Sequence, residues 1–235
     1  MIEIRSDVTV ELVRSNATDL GVVEAARVST LGELADLPTE PEKQQGLINF
    51  LMRDRHGSPF EHNSMTFRVT APIFVFREWH RHRAGWSYNE ESGRYRELGS
   101  VFYIPDERRD LVQVGKPGAY TFQPGSQHQH LVMSQVMNHA YREAWRAYQA
   151  MLNAGIAREV ARMVLPVGIF STMYATCNAR SLMHFLSLRT KDYRSTVPSF
   201  PQREIEMAAE KMEALWSTLM PKTHNAFCDY GRMAP

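Results

Sequence analysis

Cysteine is scarce in this sequence: Cys177 and Cys228 are its only two. Two thiols make no disulfide framework, and no secretion signal is legible at the N-terminus, so a reducing cytoplasm is the expected setting. No run approaches the roughly 20 apolar residues that a membrane helix needs, and no membrane partner is expected. Net charge is also lacking. Twenty-seven basic residues stand against 26 acidic ones, a formal balance of +1, which leaves no global field for nucleic acid or an anionic surface. Lysine is rare: apart from Lys43, Lys116, Lys191, Lys211 and Lys222, all of the basic residues are arginines. Arginine grips carboxylate and phosphate bidentately, so recognition of an anion would be local and built from guanidinium groups.

Several motifs are absent too. No glycine-rich dinucleotide fingerprint follows a strand and no phosphate-binding loop occurs, so a dinucleotide would not be held in the Rossmann manner. His56, His62, His80, His82, His128 and His130 form no His-Glu-x-x-His pair and no cysteine-histidine set at ligand spacing, so no metal is expected. What is present is ordinary globular material, 43% hydrophobic and 23% charged over 235 residues, without repeat or linker. One domain over 1–235 is expected.

Period-two alternation around Val8, Val10 and Leu12 predicts a strand, and Thr18 can cap a helix running toward Val28. Leu47, Ile48, Leu51 and Met52 give Pro41 to Arg55 a helical period, ended by Gly57 and Pro59. Met65, Phe67 and Val69 read as a second strand, and a helix over Ile73 to Arg83 would put Arg77, His80 and Arg81 on one face. Glycines, prolines and charges interrupt every period from Gly85 to Gly125, which reads as irregular loop. Gln127 to Asn153 reads as a long amphipathic helix, with Met133, Met137, Tyr141, Trp145 and Tyr148 packing a core or subunit interface. A short helix over Ala157 to Leu165, a strand over Ile169 to Ala175, a helix from the Asn178 cap to Leu188 and a last helix from Glu204 to Leu219 follow. The class is α+β, helix-rich with a small antiparallel sheet.

The densest polar stretch runs from Arg81 to Tyr95: three cations, then hydroxyls, a carboxylate pair and another arginine. Such a set can orient a phosphorylated ligand against an aromatic one, although a solvated charged loop has the same composition. Basic and aromatic residues between Arg77 and Arg96 also allow a nucleic-acid-binding module, but Glu78, Glu90 and Glu91 lie among them.

The order of residues shifts the weight between these readings. Arg81-His82-Arg83, a short spacer, then Ser92-Gly93-Arg94-Tyr95 resembles the signature of the flavin-dependent thymidylate synthases. Further segments resemble that family in the family's order: Ala26 to Ser29, His56 to His62, Ala71 to Phe74, Arg158 to Arg162, and Asn178 to Leu182 through Leu188-Arg189. The resemblance implies that Arg81, His82, Arg83 and Glu90, with Ser58, Asn178, Arg180 and His184, bind FAD. It implies that Glu78, Arg81, Glu90, Glu91, Ser92, Gly93, Arg94 and Arg162 hold the nucleotide, and that Arg189 faces the uracil ring as the catalytic group. It further implies a homotetramer with shared sites. The expected reaction is C5-methylation of dUMP, with methylenetetrahydrofolate as carbon donor and NADPH as reductant of the flavin. Neither cysteine has a nucleophile's setting: Cys177 falls at a buried strand end and Cys228 near a mobile C-terminus.

The chain departs from the family pattern twice. The spacer Ala84 to Glu91 is one residue longer than usual, the extra residue falling near Gly85-Trp86. After Arg189 a longer loop, Thr190 to Gln202, brings Tyr193, Arg194, Ser195 and Pro198. Such a loop could admit a ribose 2′-hydroxyl, so UMP is the alternative substrate.

Overall fold

A computed structural model of the chain describes residues 1–31 and 40–235. Its residues divide into two compact units. The first comprises Met1–Val8, Thr70–Glu78 and Glu90–Met173, and the second Thr9–Val69, Trp79–Asn89 and Tyr174–Pro235.

The first unit is organised by one long helix, α4 (Gln127–Asn153), which begins in a reciprocal capping box between Ser126 and Gln129. One stripe of α4 is apolar, as its period requires. Tyr141 joins Ile2, Leu98, Phe102, Ile104 and Ile169 in a buried cluster, with Met133, Met137 and Trp145 packed against it. Each large side chain withdrawn from water there contributes about 1.5–3 kcal/mol. Beneath lie the parallel pair β1 (Glu3–Arg5) and β5 (Val101–Tyr103). The stretch expected to be irregular contains β5 and an antiparallel hairpin, β6 (Val112–Lys116) and β7 (Ala119–Gln123). Gly118, at φ 80°, supplies the left-handed conformation of the turn between them, and Gly115, at φ 106°, lies within β6 opposite Tyr120, where a Cβ would stand 2.6 Å from the Ala119 carbonyl oxygen. Those glycines read as breaks in the sequence, yet both belong to the hairpin. A short helix, α5 (Arg158–Ala161), runs into a 3-10 turn over Arg162–Val164, in place of the continuous helix expected from Ala157 to Leu165.

The second unit carries β2 (Thr9–Ser15), α1 (Asp19–Leu31) and α2 (Pro41–Arg53). Thr18 caps α1, its Oγ1 accepting from the Gly21 amide at 3.0 Å. Strands β3 (Met65–Pro72), β8 (Phe170–Cys177) and β4 (Trp86–Glu90) complete a sheet of order β2-β3-β8-β4. Hydroxyl pairs Thr66–Thr176 at 2.9 Å and Thr70–Thr172 at 3.0 Å fix β3 and β8 as antiparallel neighbours. Helices α6 (Ala179–Arg189) and α7 (Arg203–Leu219) follow, α7 packing on β2 and on α6. Helix α8 (Pro221–Asp229) was not anticipated. Its first turn is capped from a distance: the Asp19 carboxylate accepts from the amides of Lys222 and Thr223 and from the Thr223 hydroxyl, at 2.7–2.9 Å. Cys228 is therefore buried on a helix and not on a loose terminus.

Helix α3 (Ile73–Trp79) also differs from expectation, ending four residues before Arg83. Arg81, His82 and Arg83 lie on a turn, so the proposed helix face of Arg77, His80 and Arg81 does not form. The helix stops because its last residue is anchored. Trp79 is fully buried and stacks on Phe185 at 4.7 Å, and the His82 amide donates back to the Trp79 carbonyl at 2.9 Å.

Candidate active site

The turn after α3 is a compact piece of the second unit. Gly85 takes φ 68°, and a Cβ there would lie 2.0 Å from Ser181 Oγ, so only glycine lets the turn press on the start of α6. Ser181 Oγ donates to the Ala84 carbonyl at 2.9 Å, and Asn178 caps α6, its side chain accepting from the Ser181 amide at 2.8 Å. These contacts bring the 81–83 triplet beside α6, the helix that carries Arg180, His184 and Arg189.

His82 is the hinge of this arrangement. Its ring lies edge-on to Phe185 at 4.9 Å, and its Nε2 accepts from Arg189 Nε at 3.1 Å. Burial, and then the charges of Arg189, His184 and Arg81, push the imidazole down to about 4, so it is neutral near pH 7. A guanidinium only donates, so this bond assigns the ring proton to Nδ1. Trp86 stacks on Tyr88 at 5.7 Å and meets Trp79 and Phe185, while the Tyr88 hydroxyl donates to the His82 carbonyl at 2.5 Å and lies 3.3 Å from that of Trp79. From sequence Tyr88 stands only among the aromatics of the possible nucleic-acid-binding stretch Arg77 to Arg96, and the alternation Trp86, Tyr88, Glu90 is the signal that puts it on a strand.

Arg180 donates through Nη1 to Glu61 at 2.6 Å and through Nε to the Pro235 carbonyl at 2.6 Å. It lies over Gly57, where a Cβ would stand 2.5 Å from its Cζ. Ser58 opens a 3-10 turn, Ser58–Glu61, that packs against α1 and α6. Ser58, Arg81, Arg83 and His184 are exposed. His184 is shifted toward the neutral form by burial and then by Arg180.

The remaining site residues fall in the first unit. Ser92 heads a turn in which its carbonyl accepts from the amides of Tyr95 and Arg96, at 3.0 and 3.2 Å. Gly93 is buried, with Leu98 and the Arg162 stem 3.1–3.3 Å from where its Cβ would be, so Arg162 is laid along the turn. Arg94 pairs with Glu159 at 3.4 Å, and Arg96 with Glu91 at 3.1 Å. The Glu91 amide donates to the Thr172 carbonyl at 2.8 Å, and Glu90 ends β4 while Glu78 sits in the last turn of α3. The structure thus gathers Glu91, Ser92, Gly93, Arg94 and Arg162 in one unit, and the triplet, Ser58, Asn178, Arg180, His184 and Arg189 in the other.

Neither thiol is placed to act as a nucleophile. Cys177 is fully enclosed at the end of β8, and burial pushes its thiol up. Cys228 lies with Glu213 and His224, whose ligand atoms converge within 4.8 Å. The cation there is already a side chain: Arg232 donates to both Glu213 oxygens at 2.6 and 2.7 Å.

Comparison with known proteins assigns this arrangement. The model of a family described as "Thymidylate synthase complementing protein" matches residues 11–222. A "Flavin-dependent thymidylate synthase" of Streptomyces coelicolor is 67% identical over 236 residues, covering 100% of this chain and 96% of its own. The enzyme of that name from Tropheryma whipplei strain TW08/27 is 56% identical over 231 residues, covering 98% of this chain and 96% of its own. The chain belongs to the flavin-dependent thymidylate synthases.

Two crystal structures of a UMP/dUMP methylase, PolB from Streptomyces cacaoi, share the fold. The form bound with 5-Br UMP superposes with a TM-score of 0.92 at 57% identity, covering 100% of this chain and 99% of that one. The form bound with 5-Br dUMP gives a TM-score of 0.95 at 58% identity, with both chains fully covered. The chain is therefore an enzyme of this flavin-dependent family, of α+β fold. Its residues suit a flavin. The second unit offers exposed Arg81, Arg83 and His184 on one turn and one helix, beside the Asn178 cap. On α1, Arg27 holds a buried Nε with no hydrogen-bond partner among the described residues. Such donors match an anionic dinucleotide.

Proposed function

We propose that this protein catalyses the FAD-dependent reductive methylation of a uridine monophosphate at C5, converting dUMP to dTMP. Methylenetetrahydrofolate is the carbon donor, NADPH the reductant, and no cysteine nucleophile takes part. The observation that carries this reading is the bond between His82 of the triplet and Arg189 of α6, in a chain of this family. Uracil C5 is a poor nucleophile, and without a thiolate at C6 the ring must be activated by charge alone. Arg189 against O2 and N3 stabilises negative charge as it develops, which is preorganised electrostatic catalysis. Arg81, His82 and Arg83 orient the flavin, with Ser58, Glu90, Asn178, Arg180 and His184 completing its seat. Glu78, Arg81, Glu90 and Glu91, the turn Ser92-Gly93-Arg94, and Arg162 hold the nucleotide. Bound FAD supplies the hydride chemistry, and the protein supplies position and field.

UMP as an additional substrate is favoured by one observation, the pair of PolB structures with brominated UMP and dUMP at 57–58% identity. We place the two units within a single functional domain, supported by a family match that spans both. The assembly is a homotetramer with shared sites; exposed Leu131, Val132 and Val136 on α4 and exposed Met163 supply apolar surface for it. A cytoplasmic setting agrees with two unpaired thiols, and no helix among the described residues is long and apolar enough to cross a membrane. Purified protein should be yellow or take up FAD, bleach with NADPH without oxygen, and form dTMP from dUMP and folate. Colourless protein that takes up no FAD refutes the reading. Turnover of UMP alone restricts the substrate to the ribonucleotide.

A further inference from the structure

We infer that Tyr88 is a positioning residue of the reaction: its phenol fixes the His82 main chain so that the His82 imidazole holds the Arg189 guanidinium through Nε. The inference rests on Arg189 being the arginine that faces the uracil ring. Three bonded groups in series carry it. Tyr88 donates to the His82 carbonyl at 2.5 Å, the His82 amide donates to the Trp79 carbonyl at 2.9 Å, and the His82 ring accepts from Arg189 at 3.1 Å. A phenol has one proton, and the shorter contact shows where it goes: to His82, not to Trp79 at 3.3 Å. The turn bearing the triplet has no helix of its own to hold it, because α3 ends at Trp79. Without the phenol, the His82 carbonyl loses the donor that ties it to β4.

The reason for such a device is the cation it steers. A guanidinium stabilises a developing anion only where its direction is set beforehand, since reorienting it during the reaction forfeits the gain. The imidazole accepts from Arg189 through one nitrogen and thereby sets the direction of its Nε–H. It can do so only while Nε2 carries no proton, and its surroundings keep it that way. The charged and titratable groups around it are Arg189 and His184 on α6 and Arg81 on its own turn, all basic. Behind it, Tyr88 faces the His80 ring at 5.0 Å and Cys177 on β8. Burial, and then Cys177, raise the phenol, which keeps its proton throughout the neutral range. Donor and acceptor thus keep their roles at any working pH.

Tyr88→Phe removes the hydroxyl and leaves the ring stacked on Trp86. The first measurement uses flavin-free protein labelled with ¹⁵N-histidine, the His82 signal being assigned by its loss in His82→Gln. Wild-type His82 should show Nδ1 protonated and Nε2 bare, with no titration above about pH 5. In Tyr88→Phe its titration should move up by about half a unit or more. The second measurement uses flavin-loaded enzyme with dUMP. The variant should lose about five- to tenfold in kcat, the equivalent of one hydrogen bond, with flavin content and KM nearly unchanged. A wild-type His82 that carries its proton on Nε2, or titrates near 6.5, overturns the inference without any variant. An unmoved titration in Tyr88→Phe overturns it, as does a loss confined to KM or flavin content. Wild-type protein that binds no flavin refutes the proposed function instead, and the flavin-free titration is readable in either case.

Discussion

Arg232 offers a sharp test of how the end of α6 is held. Its side chain is 1% exposed and clamps both Glu213 oxygens at 2.6 and 2.7 Å. It also donates to Thr190 Oγ1 at 2.8 Å, stands 3.4 Å from Asp192, and lies over the Phe227 ring at 4.9 Å. Thr190 directly follows Arg189, so the guanidinium joins α7 and α8 to the residue that closes α6. Arg232→Met keeps the stem and removes the fork. Glu213, held down to about 2 by Arg232 and His224 against the burial that would raise it, then loses its chief partner. Breaking one side of a buried pair costs about 3–5 kcal/mol. At about 2–4 °C per kcal/mol for a chain of this size, Tm should fall by roughly 6–20 °C at fixed protein concentration. Adding Glu213→Gln should recover part of the loss, because a neutral amide tolerates burial better than an unpaired carboxylate. A single variant melting within about 2 °C of wild type refutes this reasoning, and so does a double variant no more stable than the single.

Three further outcomes follow from the same geometry. His224, held by Cys228 and Glu213 against the effect of burial, is raised to about 9; its contribution of about 2 kcal/mol is complete below its ordinary value near 6.5 and lost as pH rises through 9, so melting should weaken across that window in wild type and not in His224→Gln. Gly85→Ala forces a side chain into a left-handed turn and against Ser181, and should cost about 2–4 kcal/mol by urea unfolding along with flavin affinity; full retention of both shows that the turn can shift. Arg189→Ala should lower kcat by roughly 10²–10³ while dUMP affinity measured by calorimetry falls less than tenfold, and equal losses reassign Arg189 to ground-state binding.

Local signals carried most of the fold. The long amphipathic stripe of α4, the Thr18 and Asn178 caps, the alternation of Met65, Phe67 and Val69 in β3 and the strand expected over Ile169 to Ala175 all appear, the last as β8 over Phe170–Cys177. Failures occur where a long-range contact overrules a local pattern. Helix α8 contains His224, Asn225 and Cys228, indifferent helix formers, and draws its cap from Asp19 some 200 residues earlier, a partner no spacing rule reveals. The interval from Gly85 to Gly125 reads as broken when its glycines are taken as punctuation, yet Gly115 lies within β6 and Gly118 in the turn that joins it to β7.

At the candidate site, the resemblance names residues and not what supports them. Nothing in Arg77 to Arg83 opposes a helix, and propensity alone carries α3 through the triplet. What ends it is tertiary: an anchored Trp79 and a phenol nine residues further on, bonded to the carbonyl of His82. Within the longer spacer Trp86 joins an aromatic cluster with Trp79, Tyr88 and Phe185, and Trp86, Tyr88 and Glu90 alternate along β4. The long loop after Arg189 is settled in the same way, from afar. Thr190, Asp192 and Thr196 are tied to Arg232 or Gly231, at the far end of the chain. A motif can name candidate groups because their order survives in sequence. The groups that aim them are joined only in the folded chain, where a tyrosine and a buried arginine acquire roles that their spacing never announced.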